Sequence, residues 1–344
     1  MMKKLKGGLV GLCMAAFALT GCITNTTSTG EEIHEWNMTI TVGPGSTWYE
    51  GALKFAEDLE RESDGRMQIE IYTNEQLSAG NQEAGVEQLM DGLKDFSYNS
   101  SIIYAGVDQR FGVLSAPFLI NDYDDASRVL NGESGQIIEG MLRERGVEPL
   151  GFGESGFRQI TNDTLPIRTP EDLDHLKIRV PNMGVLTNLF RTQGADPITM
   201  PFSEVYTALQ QGTIDGQENP VDVTYSSGLV EVQQYMTMWN YVYDAIILGM
   251  NKDLYDSLPE DDQALIREVA AEANAYQIQI TREKEAMQLE ELEAAGMEIY
   301  YPTEDEIEQF RNDSQPVYEQ FRDIWGEDHM QMFLDEAMGS EEIE

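Results

Sequence analysis

The sequence predicts an α/β protein of two domains, and three observations predict it. Segments with period-two alternation take turns with segments of helical spacing along the body of the chain. The chain has 344 residues, enough for two sizeable cores. One helical pattern runs from Pro259 to about Ala295; a helix of ~37 residues is about 55 Å long, which matches two small domains side by side. That helix is expected to span both.

The elements follow in order. Residues 37–42 (NMTITV) alternate and predict a strand, GPGS at 43–46 a turn, and 49–63 a helix carried by Leu53, Ala56, Leu59 and Glu60. Residues 66–72 (RMQIEIY) alternate again, with Met67, Ile69 and Ile71 on one face. A helix over 82–93 and a strand over 95–98 come next, and this order implies a mostly parallel sheet. The second half begins near Gly151. Thr169-Pro170-Glu171-Asp172 is a helix start, with Thr as N-cap, Pro at the first position and acids in the first turn. A short helix there delivers the chain into the KIRVP strand. Residues 203–211 read as a helix ended by Gly212. Ser257-Leu258-Pro259-Glu260 reads as a capping box for the long helix, and Thr303-Glu304-Asp305-Glu306 as the box of a last one.

Composition limits the function. Acids outnumber bases 62 to 22, a formal charge of −40, which argues against nucleic-acid or anionic-membrane binding. Hydrophobic content of 41% marks a folded chain rather than a disordered acidic one. Residues 1–22 read as a secretory signal: Lys3, Lys4 and Lys6 precede an apolar run from Leu9 to Leu19 that is too short to span a bilayer. It ends in Leu19-Thr20-Gly21-Cys22, which resembles a bacterial lipobox and implies cleavage before Cys22 and lipidation of its thiol. Cys13 falls in the removed segment, so the mature chain is expected to hold no disulfide, cysteine nucleophile or thiolate metal site. Residues 23–35, polar and without periodicity, suit a tether. The expected location is extracytoplasmic, with the lipid as membrane anchor.

Enzyme signals are poor. His34, His175 and His329 form no ligand-spaced pair, and no GxSxG elbow, Walker loop or GxGxxG fingerprint is present, so no catalytic residue, metal or cofactor is assigned. The acids at 122–125 lack EF-hand spacing, and those at 260–262 suit a helix N-terminus. The arginines are more informative. In HLKIRVPNM (175–183), Arg179 ends a strand on the face opposite Ile178 and Val180, where open α/β folds bind ligands. A guanidinium there can pair with one of the chain's acids, or take a ligand carboxylate through two parallel hydrogen bonds. Arg158, in GFRQITN, has a similar setting.

Four stretches in order, GFRQITN (156–162), PIRTPEDLDHLKIRVPNM (166–183), MPFSEVYTALQQGTIDGQENP (200–220) and MNKDLYDSLPEDDQ (250–263), resemble the DctP-like extracytoplasmic solute-binding proteins of TRAP (tripartite ATP-independent periplasmic) transporters. The resemblance covers about 36–335. It implies a two-lobed, type II-like periplasmic-binding-protein clamshell that closes on a small organic acid and delivers it to a membrane permease. It implies one lobe from 36–156 plus about 244–283, and a second from 157–243 plus about 284–335. It assigns the main carboxylate salt bridge to Arg179, a second contact to Arg158 with Thr161, and further contacts to Asn219 and Phe202. In the first lobe Asn99, Ser100 and Trp48 are expected at the cleft, and Trp239 lies near the crossover between lobes. Asn219, Asn99, Ser100 and the aromatics can serve hydroxyls and a ring, so the favoured ligand is a sugar acid such as a uronate. A C4-dicarboxylate held by both arginines is the alternative. A ligand-sensing domain that signals to a membrane partner, and a secreted enzyme on a similar clamshell, belong to other classes.

Overall fold

The computed structural model describes residues 33–339. The predicted signal, the lipobox Cys22 and most of the tether lie outside the described residues. Among the described residues there are ten strands: β1 (His34–Thr39), β2 (Met67–Tyr72), β3 (Phe96–Ser100), β4 (Val147–Asn162), β5 (Ile178–Val180), β6 (Ile198–Thr199), β7 (Gly216–Pro220), β8 (Tyr235–Thr237), β9 (Tyr243–Asn251) and β10 (Glu298–Tyr300). β1 starts three residues before the predicted strand and takes in the end of the predicted tether. His34 stacks on Trp36 with ring centroids 5.0 Å apart.

The strand order is β2-β1-β3-β9-β4-β7-β5-β6, with β8 on β4 and β10 on β8. The expectation of a mostly parallel sheet needs correction. β1 pairs parallel with β2 and β3, and β5 parallel with β6 and β7, but the centre is antiparallel through β9 and β4. β9 is antiparallel to both of its neighbours, and β4 joins the two parallel sets by changing partners along its length. Residues 147–157 of β4 pair with β9, and from Arg158 to Asn162 β4 pairs with β7. Register shifts fall at Pro149/Phe152 and Glu154/Gly156, where Gly151 (φ +104°) and Gly156 (φ +100°) take backbone angles that side-chain-bearing residues rarely adopt.

The long helix is present as Glu260–Ala294, 35 residues. Its predicted capping box is not. Ser257 closes a preceding short helix, Lys252–Ser257, and its hydroxyl donates to the Leu254 carbonyl at 2.6 Å; Pro259 holds the cap position. The acidic first turn is still used, because Asp262 pairs with Arg66 at 2.8 Å. Near its start the helix adds Ile266, Val269 and Ala273 to a core with Phe55, Phe96 and Leu248; near its end Leu292 packs with Val221, Met236 and Met297. One helix therefore serves both lobes. Its middle is pinned to β4: Gln277 donates to the Glu154 carbonyl and accepts from the Glu154 N–H, and Arg282 grips the Glu154 carboxylate with two bonds of 2.7 and 2.8 Å. Gly51 allows the first helix, Thr47–Glu62, to approach this point, since a Cβ there would sit 2.6 Å from Gln277 Cγ.

The other predicted starts hold in outline. Thr169-Pro170 opens only a 3-10 turn, Pro170–Leu173, and the Asp172 carboxylate accepts from the Thr169 N–H at 3.1 Å. The Thr303 box is complete. The acids at 122–125 are explained by a cap, since the Asp122 carboxylate accepts from the Asp124 and Asp125 N–H groups at the start of Tyr123–Asn131.

Candidate functional site

A tight cavity, with about 30 Å³ of space open to a water-sized sphere, is lined on one side by Thr41, Val42, Trp48, Gln82, Ser100, Ile102 and Ile103. Arg158, Arg179, Pro181, Phe202, Asn219 and Val223 complete it. Chain geometry explains the membership. Thr41 and Val42 follow the end of β1, Ser100 ends β3, Arg179 is central in β5, and Asn219 lies near the end of β7. The C-terminal edges of parallel strands thus converge on one space, as in other open α/β sheets. Trp48 belongs to the first turn of Thr47–Glu62, and Phe202 starts Phe202–Gln210.

Six of the eight residues expected from the sequence share this cavity: Trp48, Ser100, Arg158, Arg179, Phe202 and Asn219. Two do not. Asn99 points away, because neighbouring residues of a strand face opposite sides and Ser100 takes the cleft. Its carboxamide oxygen accepts from the N–H and the hydroxyl of Thr41, both at 2.8 Å, and its nitrogen donates to Glu75 at 2.6 Å. Asn99 holds the loop after β1 in place rather than facing a ligand. Trp239 is packed in the core against Phe190, Tyr241 and Phe310, with centroids 4.3–5.8 Å apart. The sequence reading missed Thr41, Val42, Gln82, Ile102, Ile103, Pro181 and Val223. The first two had a signal, their place just after a strand; the rest carried none that separates them from ordinary core positions.

The two arginines differ sharply. Arg179 is 2% exposed, and its Nε and Nη2 donate to a single acceptor, the Met200 carbonyl, at 3.2 and 2.8 Å. Its guanidinium lies 5.7 Å from the Phe202 ring centroid. Among the described residues it has no carboxylate within salt-bridge distance, and Nη1 makes no hydrogen bond. Burial, and secondarily the nearby Arg158, push it down to about 10; Glu218 and Glu83 oppose this from a distance. Its hydrogen-bond partner among the described residues is thus a neutral carbonyl.

Arg158 is already neutralised. Its Nε and Nη2 grip the Glu218 carboxylate at 2.5 and 2.9 Å, Nη1 donates to Asp244 at 2.7 Å, and Nη2 also reaches Asn219 Oδ1 at 3.0 Å. Tyr241 donates to Glu218 and Ser100 to Asp244, each at 2.5 Å. Burial pulls the Arg158 guanidinium down, but Glu218 and Asp244 outweigh it and raise it above the usual arginine range. Arg158 therefore shapes the cavity wall and orients Asn219, whose nitrogen donates to Gln217 at 2.5 Å.

Asp244 carries a pH dependence. Burial pushes its carboxyl up to about 6, and Arg158 and Ser100 hold it from going higher. A folded pKa raised from 3.8 favours the protonated form in the fold. Its contribution is present below about pH 4 and is lost as pH rises through about 6, on the order of 3 kcal/mol in all. Asp244→Asn is expected to remove that slope from urea-unfolding stability measured between pH 4 and 7. An unaltered slope would place the titration elsewhere.

Direct bonds close the cavity. The Gln82 side-chain oxygen accepts from the Phe202 N–H at 3.1 Å, and the Ser203 hydroxyl donates to the Gly80 carbonyl at 3.1 Å. Asp222, on the short helix Val221–Ser226, accepts from the Thr47 N–H at 3.1 Å and from Gln288 of the long helix at 2.7 Å. A buried carboxylate is thereby set on the N-terminus of the helix Thr47–Glu62, where the helix dipole favours it.

A family model described as bacterial extracellular solute-binding protein, family 7 (DctP), matches residues 38–323. The chain is 34% identical to the 2,3-diketo-L-gulonate-binding periplasmic protein of Escherichia coli K12, over 72% of this chain and 75% of that protein. It matches a TRAP periplasmic solute-binding protein of Ralstonia eutropha H16, solved with bound (S)-2-acetolactate, at a TM-score of 0.86 and 30% identity, covering 88% of this chain and 98% of that one. It matches the sugar acid binding protein of Advenella mimigardefordensis, solved with galactonate, at a TM-score of 0.85 and 30% identity, covering 89% and 98%.

Proposed function

The chain belongs to the bacterial extracellular solute-binding proteins of family 7, the TRAP receptors, and from that premise we propose that it captures one small organic acid through Arg179 and hands it to a membrane permease. In this reading Cys22 carries a lipid that tethers the receptor outside the cell, and the first lobe is formed by residues 36–156 and about 244–283. The observation that carries the reading is the buried, anion-free guanidinium of Arg179 at the meeting of the lobes. In so acidic a chain, one uncompensated cation in a cleft lets an anion bind against the general field. Closure over the ligand comes from contacts made by both lobes.

The sequence favoured a sugar acid, with a C4-dicarboxylate as alternative. A dicarboxylate needs a second free cation, and Arg158 is held by Glu218 and Asp244. A sugar acid needs acceptors for several hydroxyls, and Asn219 and Ser100 already have protein partners. The acid's class is therefore open in this reading, while its carboxylate is not.

Thermal unfolding against a panel of carboxylates and neutral sugars tests the proposal. A ligand at 100 times its Kd stabilises by about 2.7 kcal/mol. A shift with an acid that disappears in Arg179→Met supports the reading; a shift with neutral sugars that survives the substitution overturns it. Asp222→Ala tests closure separately. Loss of the bond to the Thr47 N–H is expected to raise Kd about 10-fold, mainly through faster dissociation, while Arg179 still takes the carboxylate. Unchanged affinity by calorimetry would mean that this contact has no part in closure.

A further inference from the structure

The balance of donors and acceptors in the cavity carries the reading one step further; the step rests on Arg179 receiving a carboxylate. Three N–H groups of the lining have no partner among the described residues. They are Nη1 of Arg179, the side-chain nitrogen of Gln82, and the indole nitrogen of Trp48, which is buried with its residue 3% exposed. The acceptor side is poorer. Among the described residues no carboxylate lines the cavity, the amide oxygens of Asn219 and Gln82 accept from Arg158 and the Phe202 N–H, the Ser100 hydroxyl oxygen accepts from the Ile102 N–H, and the Thr41 hydroxyl oxygen remains. The rest of the wall is apolar: Val42, Ile102, Ile103, Pro181, Phe202 and Val223.

We infer that the cavity selects a compact monocarboxylate with a short aliphatic body and a second acceptor beside the carboxylate, a branched 2-oxo acid being the best-fitting class. A carboxylate and a ketone accept hydrogen bonds and donate none, so they answer a surplus of donors. The carboxylate pairs with Arg179, and the adjacent oxygen takes the Trp48 indole N–H, a buried donor that otherwise has no partner. The aliphatic chain lies against the isoleucines and valines. A uronate would set hydroxyl donors against that apolar wall, and a dicarboxylate would bring a second charge to an arginine that two acids already neutralise.

Calorimetry of the protein with 3-methyl-2-oxobutanoate, 3-methylbutanoate, succinate and D-glucuronate tests this. The 2-oxo acid is expected to bind about 100-fold more tightly than succinate or glucuronate, and about 10-fold more tightly than 3-methylbutanoate, which lacks the oxo group. Trp48→Phe should shrink the preference for the oxo compound to about threefold or less; a preference that survives intact overturns the Trp48 assignment. Tightest binding of succinate or glucuronate, abolished by Arg179→Met, overturns the inference and leaves the carboxylate receptor standing. If the parent and Arg179→Met respond alike to every carboxylate of a broad panel, the receptor reading fails with it.

Discussion

Arg179→Met is expected to abolish carboxylate binding and, in the same protein, to raise the stability of the ligand-free fold. The first effect follows from truncating a buried, hydrogen-bonded charge pair, which costs about 2–5 kcal/mol and corresponds to a loss of roughly 30-fold to several thousand-fold in affinity. The second follows from burial. Arg179 is charged in both folded and unfolded chains at neutral pH, but the fold holds it at about 10 against an ordinary 12.5. A depressed cation destabilises the fold at every pH below its folded pKa, and the penalty is relieved only as pH rises through about 10. A thioether of similar length removes the charge and keeps most of the packing. The ligand-free variant is expected to gain on the order of 1–3 kcal/mol in urea unfolding. Loss of binding with no gain, or with a fall in stability, would mean that Arg179 is satisfied within the fold and that anion capture is not what its burial serves.

Glu218→Gln is expected to have the largest effect on stability. Glu218 is fully buried, holds Arg158 with two bonds and accepts from Tyr241. Without its charge, Arg158 keeps one carboxylate, Asp244, and the Glu218 charge that also favours the Arg179 cation is gone. Breaking one side of a buried pair costs about 3–5 kcal/mol, because a desolvated charge is left without its partner. Urea unfolding at pH 7 should show that loss with little change in the denaturant slope. Combining it with Arg158→Met should restore a substantial part, since the cost lies in the orphaned charge. A single-variant loss below about 1 kcal/mol would show that Asp244 alone neutralises Arg158.

How far the sequence could reach varies from residue to residue. Alternation and helical spacing located β1, β2 and the long helix to within a few residues, because burial on one face imposes a period that needs no partner to be seen. Arg179 was legible for the same reason, as a charge at the end of an apolar strand. The error in the capping box was local as well. Ser257 had a nearer use, as its hydroxyl bonds back to the Leu254 carbonyl of its own short helix.

Arg158 was read as a companion to Arg179 because both sit in similar apolar runs. What separates them lies 60 and 86 residues away, where Glu218 and Asp244 arrive on β7 and β9. Asn99 and Ser100 are adjacent in sequence and part company because a pleated strand sends them to opposite faces. The antiparallel centre of the sheet is of the same kind, since nothing in the composition of β4 says that one strand will change partners along its length. The sequence by itself determined the α/β class, the long shared helix and the arginine proposed to receive an anion, because each is written as a local period or a local charge. The tertiary structure alone decided which arginine stays free, which polar groups face the cavity and how donors outnumber acceptors there. Those are sums over groups brought together from distant parts of the chain, and electrostatic balance in a buried space depends on all of them at once.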